Sequence, residues 1–424
     1  MPDANRPDLN RLMTGMAAHA RAGAEALRLA GPEVRTRAIQ DGARAIRAHE
    51  AAILAANERD LAAARGKGLT EAMIERLVLN PARVEAMAKG LEEVAVLPDP
   101  AGRELARWTR PNGLDIARVS TPIGVIAVIF ESRPNVTADA AALCIRSSNA
   151  AILRCGSEAL HSALAIHAAI AEGLAAAGLP DTCIQLVPTA DRDAVGLILG
   201  GLGGAINLII PRGGKSLVAR VQAEAKAPVL AHLEGLNHTY VHAAADPRKA
   251  VDIVVNAKMR RVSVCGATET LLIDKAVAPT LLPPIAAALE ARGCELRGDA
   301  AARSIHAMAA ANEDDWRTEY LSPVIAVRVV ANEAEAIAHI KTYGTSHTEA
   351  IVTEDAAAAE TFLNEVDAAI VIWNASTQFA DGGEFGLGAE IGISTDRLHA
   401  RGPVGAEQLT TFKYVVRGTG QVRP

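Results

Sequence analysis

In this chain of 424 residues, the stretch GVIAVIF, residues 124–130, is the strongest indicator of the fold. Seven consecutive residues without a charge predict a strand that is covered on both faces, as the strands of parallel sheets are. Helices and strands alternate downstream of it, which is typical of a doubly wound α/β domain. The predicted helices cover 136–146, 157–177, 193–199 and 215–225, and the predicted strands cover 150–154, 184–187, 205–210 and 229–233.

A second α/β series follows, from a helix over 248–260 to a strand over 369–373, and helices are predicted for most of residues 6–97. Asn-Gly within residues 103–119 predicts a β-hairpin, and LTTFKYVVR at 409–417 predicts a lone strand. Neither has a core of its own, so we expect both in an oligomerisation element. The predicted fold class is therefore two doubly wound α/β domains with a hairpin and C-terminal-strand element.

Composition narrows the classes of function. The net charge of −6 gives no basic face of the kind that nucleic-acid binding needs. No uncharged apolar stretch reaches the length of a membrane span, and residues 1–12 lack the pattern of a signal peptide. Five cysteines without a CxxC motif argue against a disulfide framework and a structural zinc site. We therefore expect a cytoplasmic protein without a membrane or nucleic-acid partner and without a bound metal.

Gly213 and Gly214 stand between a predicted strand and a predicted helix. Ile209 excludes a P-loop at this turn, and Ile206 excludes a dinucleotide fingerprint at the glycines just before it. The free amide groups of a helix N-terminus bind anions. The turn therefore predicts either a phosphate site or a plain connection between strand and helix.

Cys265 follows a predicted helix that carries Lys258, Arg260 and Arg261, and it precedes a predicted buried strand. Nearby cations favour the thiolate form of a cysteine. A thiolate at this point could attack a carbonyl or an acyl phosphate. The alternative is a small buried hydrophobe, which is how we interpret the other four cysteines.

Two further segments are unusually polar. His339, His347 and Glu349 lie close together in the chain, but their spacing matches no metal site, and helix capping is the alternative. Residues 385–403 form a glycine-punctuated loop that carries two arginines and a histidine. Because the arginine fork suits carboxylates and phosphates, this loop predicts contacts to an anionic substrate.

Five segments together resemble the γ-glutamyl phosphate reductases, a branch of the aldehyde dehydrogenase superfamily, and the resemblance covers nearly the full length. It implies an aldehyde dehydrogenase-like fold and NADP(H) as cofactor. It also implies NADPH-dependent reduction of L-glutamyl 5-phosphate to L-glutamate 5-semialdehyde with release of phosphate, the second step of proline biosynthesis from glutamate. The segments are VANEAEAIAHIKTYGTSHTEAI (330–351), PIGVIAVIFESRPNV (122–136), LIIPRGGK (208–215), CGATETLL (265–272) and LHARGPVG (398–405).

The resemblance also implies a division of the chain. N-terminal helices would pack on a cofactor domain, a catalytic domain would carry Cys265, and a substrate-site loop would return to the cofactor domain. The implied parts are 1–103 (helices), 104–121 with 405–424 (oligomerisation strands), 122–236 (NADP(H) binding), 237–375 (catalysis) and 376–404 (loop).

The resemblance assigns roles residue by residue. Cys265 takes the place of the superfamily nucleophile, which forms a thioester, and Asn135 takes the place of the oxyanion-hole asparagine. The residues implied to bind the cofactor are Arg154, Ser157, Glu158, Pro211, Arg212, Gly213, Gly214, Lys215 and Glu319. The residues proposed for the anionic groups of the substrate are Arg133, Arg260, Arg261, His399 and Arg401.

Leu233 stands where hydrolytic aldehyde dehydrogenases carry a glutamate base, and Glu234 is displaced by one position, to the other face of a strand. Phosphate rather than water would then be the nucleophile that attacks the thioester. The alternatives are a hydrolytic or CoA-acylating aldehyde dehydrogenase of another substrate, and a non-catalytic binding protein. The preference for NADP(H) over NAD is implied by the cofactor usual in the family, and no spacing of residues in the sequence implies it. A homodimer or homotetramer is expected, and association with glutamate 5-kinase stays open.

Overall fold

A computed structural model of the chain describes residues 6–423. Residues 1–5, within the segment for which no signal peptide is predicted, and residue 424 lie outside the described residues. The α-helices are α1 (Arg6–Leu29), α2 (Pro32–Ala48), α3 (Glu50–Gly66), α4 (Glu71–Leu77), α5 (Pro81–Val96), α6 (Val136–Arg146), α7 (Leu160–Ala176), α8 (Asp193–Leu199), α9 (Lys215–Glu224), α10 (Pro247–Met259), α11 (Ala278–Glu290), α12 (Ala300–Ile305), α13 (Glu333–Tyr343) and α14 (Ala356–Glu365).

The β-strands divide among four sheets. They are β1 (Glu104–Thr109), β2 (Asp115–Pro122), β3 (Val125–Phe130), β4 (Ala150–Cys155), β5 (Ile184–Leu186), β6 (Leu208–Arg212), β7 (Asn237–Val241), β8 (Thr268–Asp274), β9 (Glu295–Gly298), β10 (Ala309–Ala310), β11 (Val324–Val330), β12 (Thr348–Val352), β13 (Ile370–Trp373), β14 (Ile393–Ser394), β15 (Gly402–Pro403) and β16 (Thr410–Arg417).

Within the described residues, the first compact unit comprises residues 6–231, 386–392 and 404–423. Its main sheet is parallel, in the order β5-β4-β3-β6. Every residue of β3, the strand predicted from GVIAVIF, is buried. The helix α1 covers part of this sheet, because Met13 and Ile152 belong to one hydrophobic cluster and Gln185 Nε2 donates to the Met16 carbonyl at 2.9 Å. A parallel sheet covered in this way confirms the predicted doubly wound arrangement.

The hairpin and the C-terminal strand pair within the same chain. They form an antiparallel sheet in the order β1-β2-β16, with β16 aligned along the whole of β2. Several aromatic and apolar side chains of this sheet are exposed, namely Trp108, Phe412, Tyr414 and Val416. The predicted hairpin and the predicted C-terminal strand therefore pair with each other within one copy of the chain.

The second compact unit comprises residues 232–385 and 393–403. Its sheet has seven parallel strands in the order β10-β9-β11-β8-β7-β12-β13. The helix α10 begins at Pro247, and Asp246 caps it by accepting from the Lys249 backbone N–H at 2.9 Å. This cap fixes the start of the helix that leads to Cys265.

Several sequence predictions of local structure are wrong. Residues 229–233 are not a strand, since they contribute only an isolated bridge between Val229 and Ile209. The strand β7 is missing from the prediction because its sequence, NHTYV, carries polar side chains that only tertiary contacts bury. The short strands β9 and β10 are also missing.

The compact units cut the chain at other points than the predicted domains. The first boundary follows Ala231 rather than residue 236, and the segment 376–404 is shared between the units. The described part of the predicted helical segment, residues 6–103, belongs to the same unit as the β3 sheet. None of the helices in the described residues 6–423 has the length and apolar character needed to cross a membrane.

Candidate active site

Cys265 lies in a turn between α10 and β8, which we call the nucleophile turn (residues 262–267). Its side chain is partly exposed, whereas the other four cysteines are buried. Burial raises the pKa of three of these thiols to about 12 and that of the fourth to about 11, so they stay protonated at neutral pH. The cysteine that the resemblance selects is therefore the one that a substrate can reach.

Asn237, at the start of β7, holds the nucleophile turn in place. Its Nδ2 donates to the Cys265 carbonyl at 2.6 Å and to the Ala267 carbonyl at 2.9 Å. Its Oδ1 accepts from the Thr348 backbone N–H at 3.1 Å. One buried amide thus ties the turn to β12. Sequence reasoning missed Asn237 because β7 itself was not predicted.

Gly235 lies against the same turn. A Cβ atom added to this glycine would stand 2.1 Å from the Cys265 carbonyl oxygen, so no other residue fits without a shift. The Gly235 N–H donates to Glu319 Oε1 at 2.9 Å. Gly235 therefore contacts both Cys265 and Glu319, the residue that the resemblance assigns to the cofactor.

Two imidazole rings approach Cys265 from segments that are distant in sequence. One ring nitrogen of His232, one of His347 and the Cys265 Sγ atom all lie within 4.8 Å of one another. The two rings meet edge to face, with centroids 5.0 Å apart. Cysteine and histidine are also the ligand types that zinc prefers. The spacing of these three residues along the chain did not reveal that their side chains lie together.

The polar cluster predicted over 339–349 separates into different environments. His347 belongs to the Cys265 site. Glu349 Oε2 instead accepts from the backbone N–H of His238 at 2.8 Å and contacts its Nδ1 at 2.9 Å, with both side chains fully buried. Burial raises the pKa of Glu349 and lowers that of His339 to about 2. His339 is thus a neutral core ring, packed on Trp316.

The cations near Cys265 in the sequence are not equivalent in the structure. Arg260 and Arg261 are exposed. Lys258 is fully buried, with its Nζ 2.5 Å from Glu269 Oε2. Burial raises the pKa of Glu269 to about 7, although Lys258 acts in the opposite direction. The charge of Lys258 is therefore compensated in the core.

In the first unit, Asn135 immediately precedes α6. Its Nδ2 donates to Asp139 Oδ2 at 2.9 Å, which orients the amide. Burial raises the pKa of Asp139 to about 6, while the Asn135 hydrogen bond and the charge of Arg212 lower it. Arg212 ends β6, and its side chain also lies against Gly392.

The glycine turn, residues 213–214, precedes α9 as predicted. The Gly214 N–H donates to Glu131 Oε2 at 3.0 Å, so a carboxylate of the protein itself occupies the predicted anion position. Pro211 is buried in β6, and Lys215 begins α9 with an exposed side chain. The turn is therefore able to hold an anion.

The remaining residues predicted for the cofactor lie at the end of β4. Arg154 is buried, its Nη2 donates to the Ala190 carbonyl at 3.4 Å, and its Nε lacks a hydrogen-bond partner among the described residues. Burial lowers the pKa of Arg154. Glu158 Oε1 accepts from the backbone and the hydroxyl of Ser132, at 2.8 and 2.9 Å, and Ser157 is exposed.

The arginines of the predicted substrate loop are engaged within the second unit. Arg401 Nη1 lies 2.6 Å from Asp367 Oδ1, and Arg397 pairs with the same carboxylate. His399 is exposed, and Arg133, in the first unit, is partly buried. Asp367 is a partner that the sequence did not indicate.

Comparisons with known proteins show the family to which the chain belongs. A model of the aldehyde dehydrogenase family matches residues 2–298 and 302–388. The γ-glutamyl phosphate reductase of Caulobacter sp. strain K31 is 70% identical over 98% of this chain and 100% of its own length. The chain belongs to the γ-glutamyl phosphate reductase family.

The crystal structure of the γ-glutamyl phosphate reductase from Thermotoga maritima extends the comparison. It superposes with a TM-score of 0.94 at 44% identity, covering 97% of this chain and 100% of that one. An acetylating aldehyde dehydrogenase from Geobacillus thermoglucosidasius reaches a TM-score of 0.69 at 17% identity, which shows a shared fold. The predicted membership of the γ-glutamyl phosphate reductase family and the aldehyde dehydrogenase-like fold are confirmed, and the chain is an oxidoreductase of that family.

Proposed function

We propose that this enzyme reduces L-glutamyl 5-phosphate to L-glutamate 5-semialdehyde, releasing phosphate through a thioester at Cys265, in proline biosynthesis. The observation that carries the proposal is the one accessible thiol among the described residues, in a turn held by Asn237, in a chain 70% identical over nearly its full length to a γ-glutamyl phosphate reductase. A rigid, accessible thiol is what nucleophilic attack on an acyl carbon requires.

The chemistry on the chain begins at the Cys265 thiolate. Its Sγ forms a bond to the acyl carbon, and the bond from that carbon to the phosphate oxygen breaks. Asn135, whose amide is oriented by Asp139, takes the oxyanion role that the resemblance implies. When the thioester has been reduced, the carbon–sulfur bond breaks and the aldehyde leaves.

Water attack on the thioester is disfavoured by the residue at the position of the hydrolytic base. Leu233 has an apolar side chain that is 37% exposed, so it cannot activate water. In the reverse reaction, phosphate then serves as the nucleophile that releases the acyl group. This supports the phosphorylating enzyme over the hydrolytic alternative.

The residues of the first unit fit a nicotinamide dinucleotide phosphate. Two donors suit anionic groups: the buried Arg154 Nε, which has no hydrogen-bond partner within residues 6–423, and the Gly214 N–H, once Glu131 releases it. Arg192, whose charge reaches Arg154, adds a second cation that the sequence did not single out. NADPH, when bound, supplies the hydride that reduces the thioester. The resemblance also assigns Glu319 to the cofactor.

We also propose that this enzyme associates with copies of itself and with the enzyme that makes its substrate. The exposed aromatic side chains of the β1-β2-β16 sheet favour a homodimer or homotetramer. The lability of an acyl phosphate favours association with glutamate 5-kinase. A cytoplasmic location follows from the proposed biosynthetic role.

The deciding experiment is NADP⁺ reduction with glutamate 5-semialdehyde, with and without inorganic phosphate. We expect strict dependence on phosphate. Activity that ignores phosphate would mean that water or another acceptor resolves the thioester, and would refute the phosphorylating mechanism.

Cys265→Ala tests the nucleophile separately. We expect turnover to fall at least about a thousandfold, because no other accessible thiol exists in the described chain, while the protein still binds NADPH. Cys294→Ala is the matched control in the same unit, and it should keep its turnover. Substantial activity in the Cys265 variant would remove the thioester from the mechanism.

A further inference from the structure

The ring of His232 is held in one tautomer by the backbone. Its Nδ1 lies 2.8 Å from the carbonyl oxygen of Ile393. A carbonyl oxygen only accepts hydrogen bonds, so Nδ1 must carry the proton and donate it. In the neutral ring the other nitrogen, Nε2, then carries a lone pair rather than a proton.

The position of His232 places a basic ring beside the nucleophile. A ring nitrogen of His232 and the Cys265 Sγ atom lie within 4.8 Å. Because Nδ1 is committed to Ile393, Nε2 is the atom able to act on the thiol. Unliganded sites often show such pairs at longer separations than the reacting complex.

We propose that His232 is the base that accepts the proton of the Cys265 thiol. This inference rests on the proposed function, since it requires Cys265 to be the nucleophile. It gives this enzyme a base of its own immediately before Leu233, where hydrolytic relatives carry the glutamate. The base therefore accepts the proton of the thiol instead of the proton of a water molecule.

The proton balance of the first step is complete. The Cys265 S–H bond breaks and its proton passes to His232 Nε2, which leaves a thiolate and an imidazolium. The sulfur lone pair forms the bond to the acyl carbon, and the electrons of the broken carbon–oxygen bond leave with phosphate. The imidazolium then gives its proton to the departing phosphate, which is released as HPO₄²⁻, and His232 is neutral again.

The surroundings favour His232 over His347 in this role. His347 is fully buried, its Nδ1 contacts the Thr348 hydroxyl at 2.8 Å, and its Nε2 has no hydrogen-bond partner among the described residues. Charging a fully buried ring is costly, whereas His232 is only partly buried. We assign His347 to positioning, since its ring supports that of His232. Two ionisable groups lie beside this pair: Cys265, within 4.8 Å of both rings, and Glu319, which accepts from the neighbouring Gly235 N–H at 2.9 Å.

The test is the pH dependence of Cys265 alkylation by iodoacetamide in His232→Asn. Asparagine keeps an N–H donor for the Ile393 carbonyl and removes Nε2, so it separates the structural role from proton acceptance. We expect the alkylation rate at pH 7 to fall about tenfold and the midpoint of the pH profile to rise by about one unit or more. An unchanged profile would overturn the proposal.

The readout is specific, because the other four cysteines are buried and mass spectrometry locates the modified residue. His242→Asn is the matched control, since its Nδ1 is also engaged, 2.8 Å from the Thr353 hydroxyl. We expect this variant to alkylate as the unchanged protein does. If His347→Asn shifts the profile and His232→Asn does not, the assignment to His232 is wrong.

Steady-state kinetics distinguish a failure of the proposed thioester at Cys265 from a failure of the role inferred for His232. If the inference holds, His232→Asn lowers kcat at pH 7 at least tenfold, leaves the KM for NADPH unchanged and recovers part of the loss at higher pH. If Cys265→Ala remains active, the proposed thioester has failed and His232 has no thiol to serve. If Cys265→Ala is inactive and the His232 profile is unchanged, only the present inference has failed.

Discussion

The nucleophile turn of the second unit and the glycine turn of the first unit are held by different kinds of bonds. Around Cys265, a neutral buried amide from Asn237 bonds backbone atoms, and Gly235 packs against a carbonyl. At Gly214, a backbone N–H is held by the charged side chain of Glu131. The first arrangement cannot exchange with a ligand, whereas the second has a group that an anion can replace.

These two kinds of bonding show that the nucleophile turn is preorganised and the glycine turn is not. A nucleophile gains from a fixed geometry, because each misplacement lowers the rate of attack. An anion site must release its internal partner before the ligand binds, so it is held by a side chain that can rotate away. Substitutions at the two turns should therefore differ in size and in the property that they change.

The largest effect is expected for Asn237→Ala. The change leaves two carbonyls, of Cys265 and Ala267, and the N–H of Thr348 without their partner, which we expect to lower the free energy of unfolding by about 3 kcal/mol. We also expect kcat to fall more than tenfold. Urea denaturation and steady-state kinetics measure both quantities.

Asn80→Ala is the control for this variant. Asn80 also bonds a backbone N–H, as the cap of α5, and its loss should cost about 1 kcal/mol without changing kcat. Equal effects of the two variants on kcat would show that Asn237 has no special connection to the nucleophile.

Gly235→Ala and Gly213→Ala make the comparison within one type of substitution. At Gly235 the new Cβ meets the Cys265 carbonyl at 2.1 Å, and backbone must move. At Gly213 it meets Glu131 Oε2 at 2.5 Å, the end of a side chain that can rotate. We expect losses of about 2–3 kcal/mol at Gly235 and below about 1 kcal/mol at Gly213, measured by urea denaturation. A larger loss at Gly213 would contradict the comparison.

A third prediction concerns pH and Asp139, whose pKa is raised from 3.8 to about 6. Because the folded state binds the proton more tightly than the unfolded chain, this group's contribution to stability is present below about pH 4 and is lost as the pH rises through 6. Relative to Asp139→Asn, we expect the unchanged protein to lose about 2 kcal/mol between pH 4 and pH 7. Unfolding of both proteins at both pH values measures the difference, and a constant difference would refute it.

The smallest effect is expected for Glu131→Gln. Glutamine keeps an acceptor for the Gly214 N–H but removes the negative charge at the start of α9. We expect the KM for NADPH to fall about threefold, since a cofactor phosphate then competes with a neutral group. Glu224→Gln, at the other end of the helix, is the control and should leave this KM unchanged. A raised KM for Glu131→Gln would mean that the carboxylate assists cofactor binding.

The fold was largely predictable from the sequence, and the candidate site only in part. The apolar strand β3 and the alternation around it predicted the first unit, and Asn-Gly predicted the hairpin. The strand β7 was missed, and with it Asn237, because polar residues in a short segment give no period that local reasoning can detect. Residues 229–233 were predicted as a strand from apolar character alone.

Three features were readable from the sequence alone: an α/β scaffold, a candidate nucleophilic cysteine between a helix and a buried strand, and a glycine turn before a helix. These follow from local patterns of burial and backbone geometry. Only the tertiary structure decided that His232 and His347 flank Cys265, that Asn237 holds its turn and that Glu131 occupies the glycine turn. Parallel strands bring residues from distant segments to one edge of a sheet, and no pattern along the chain records which of them will meet.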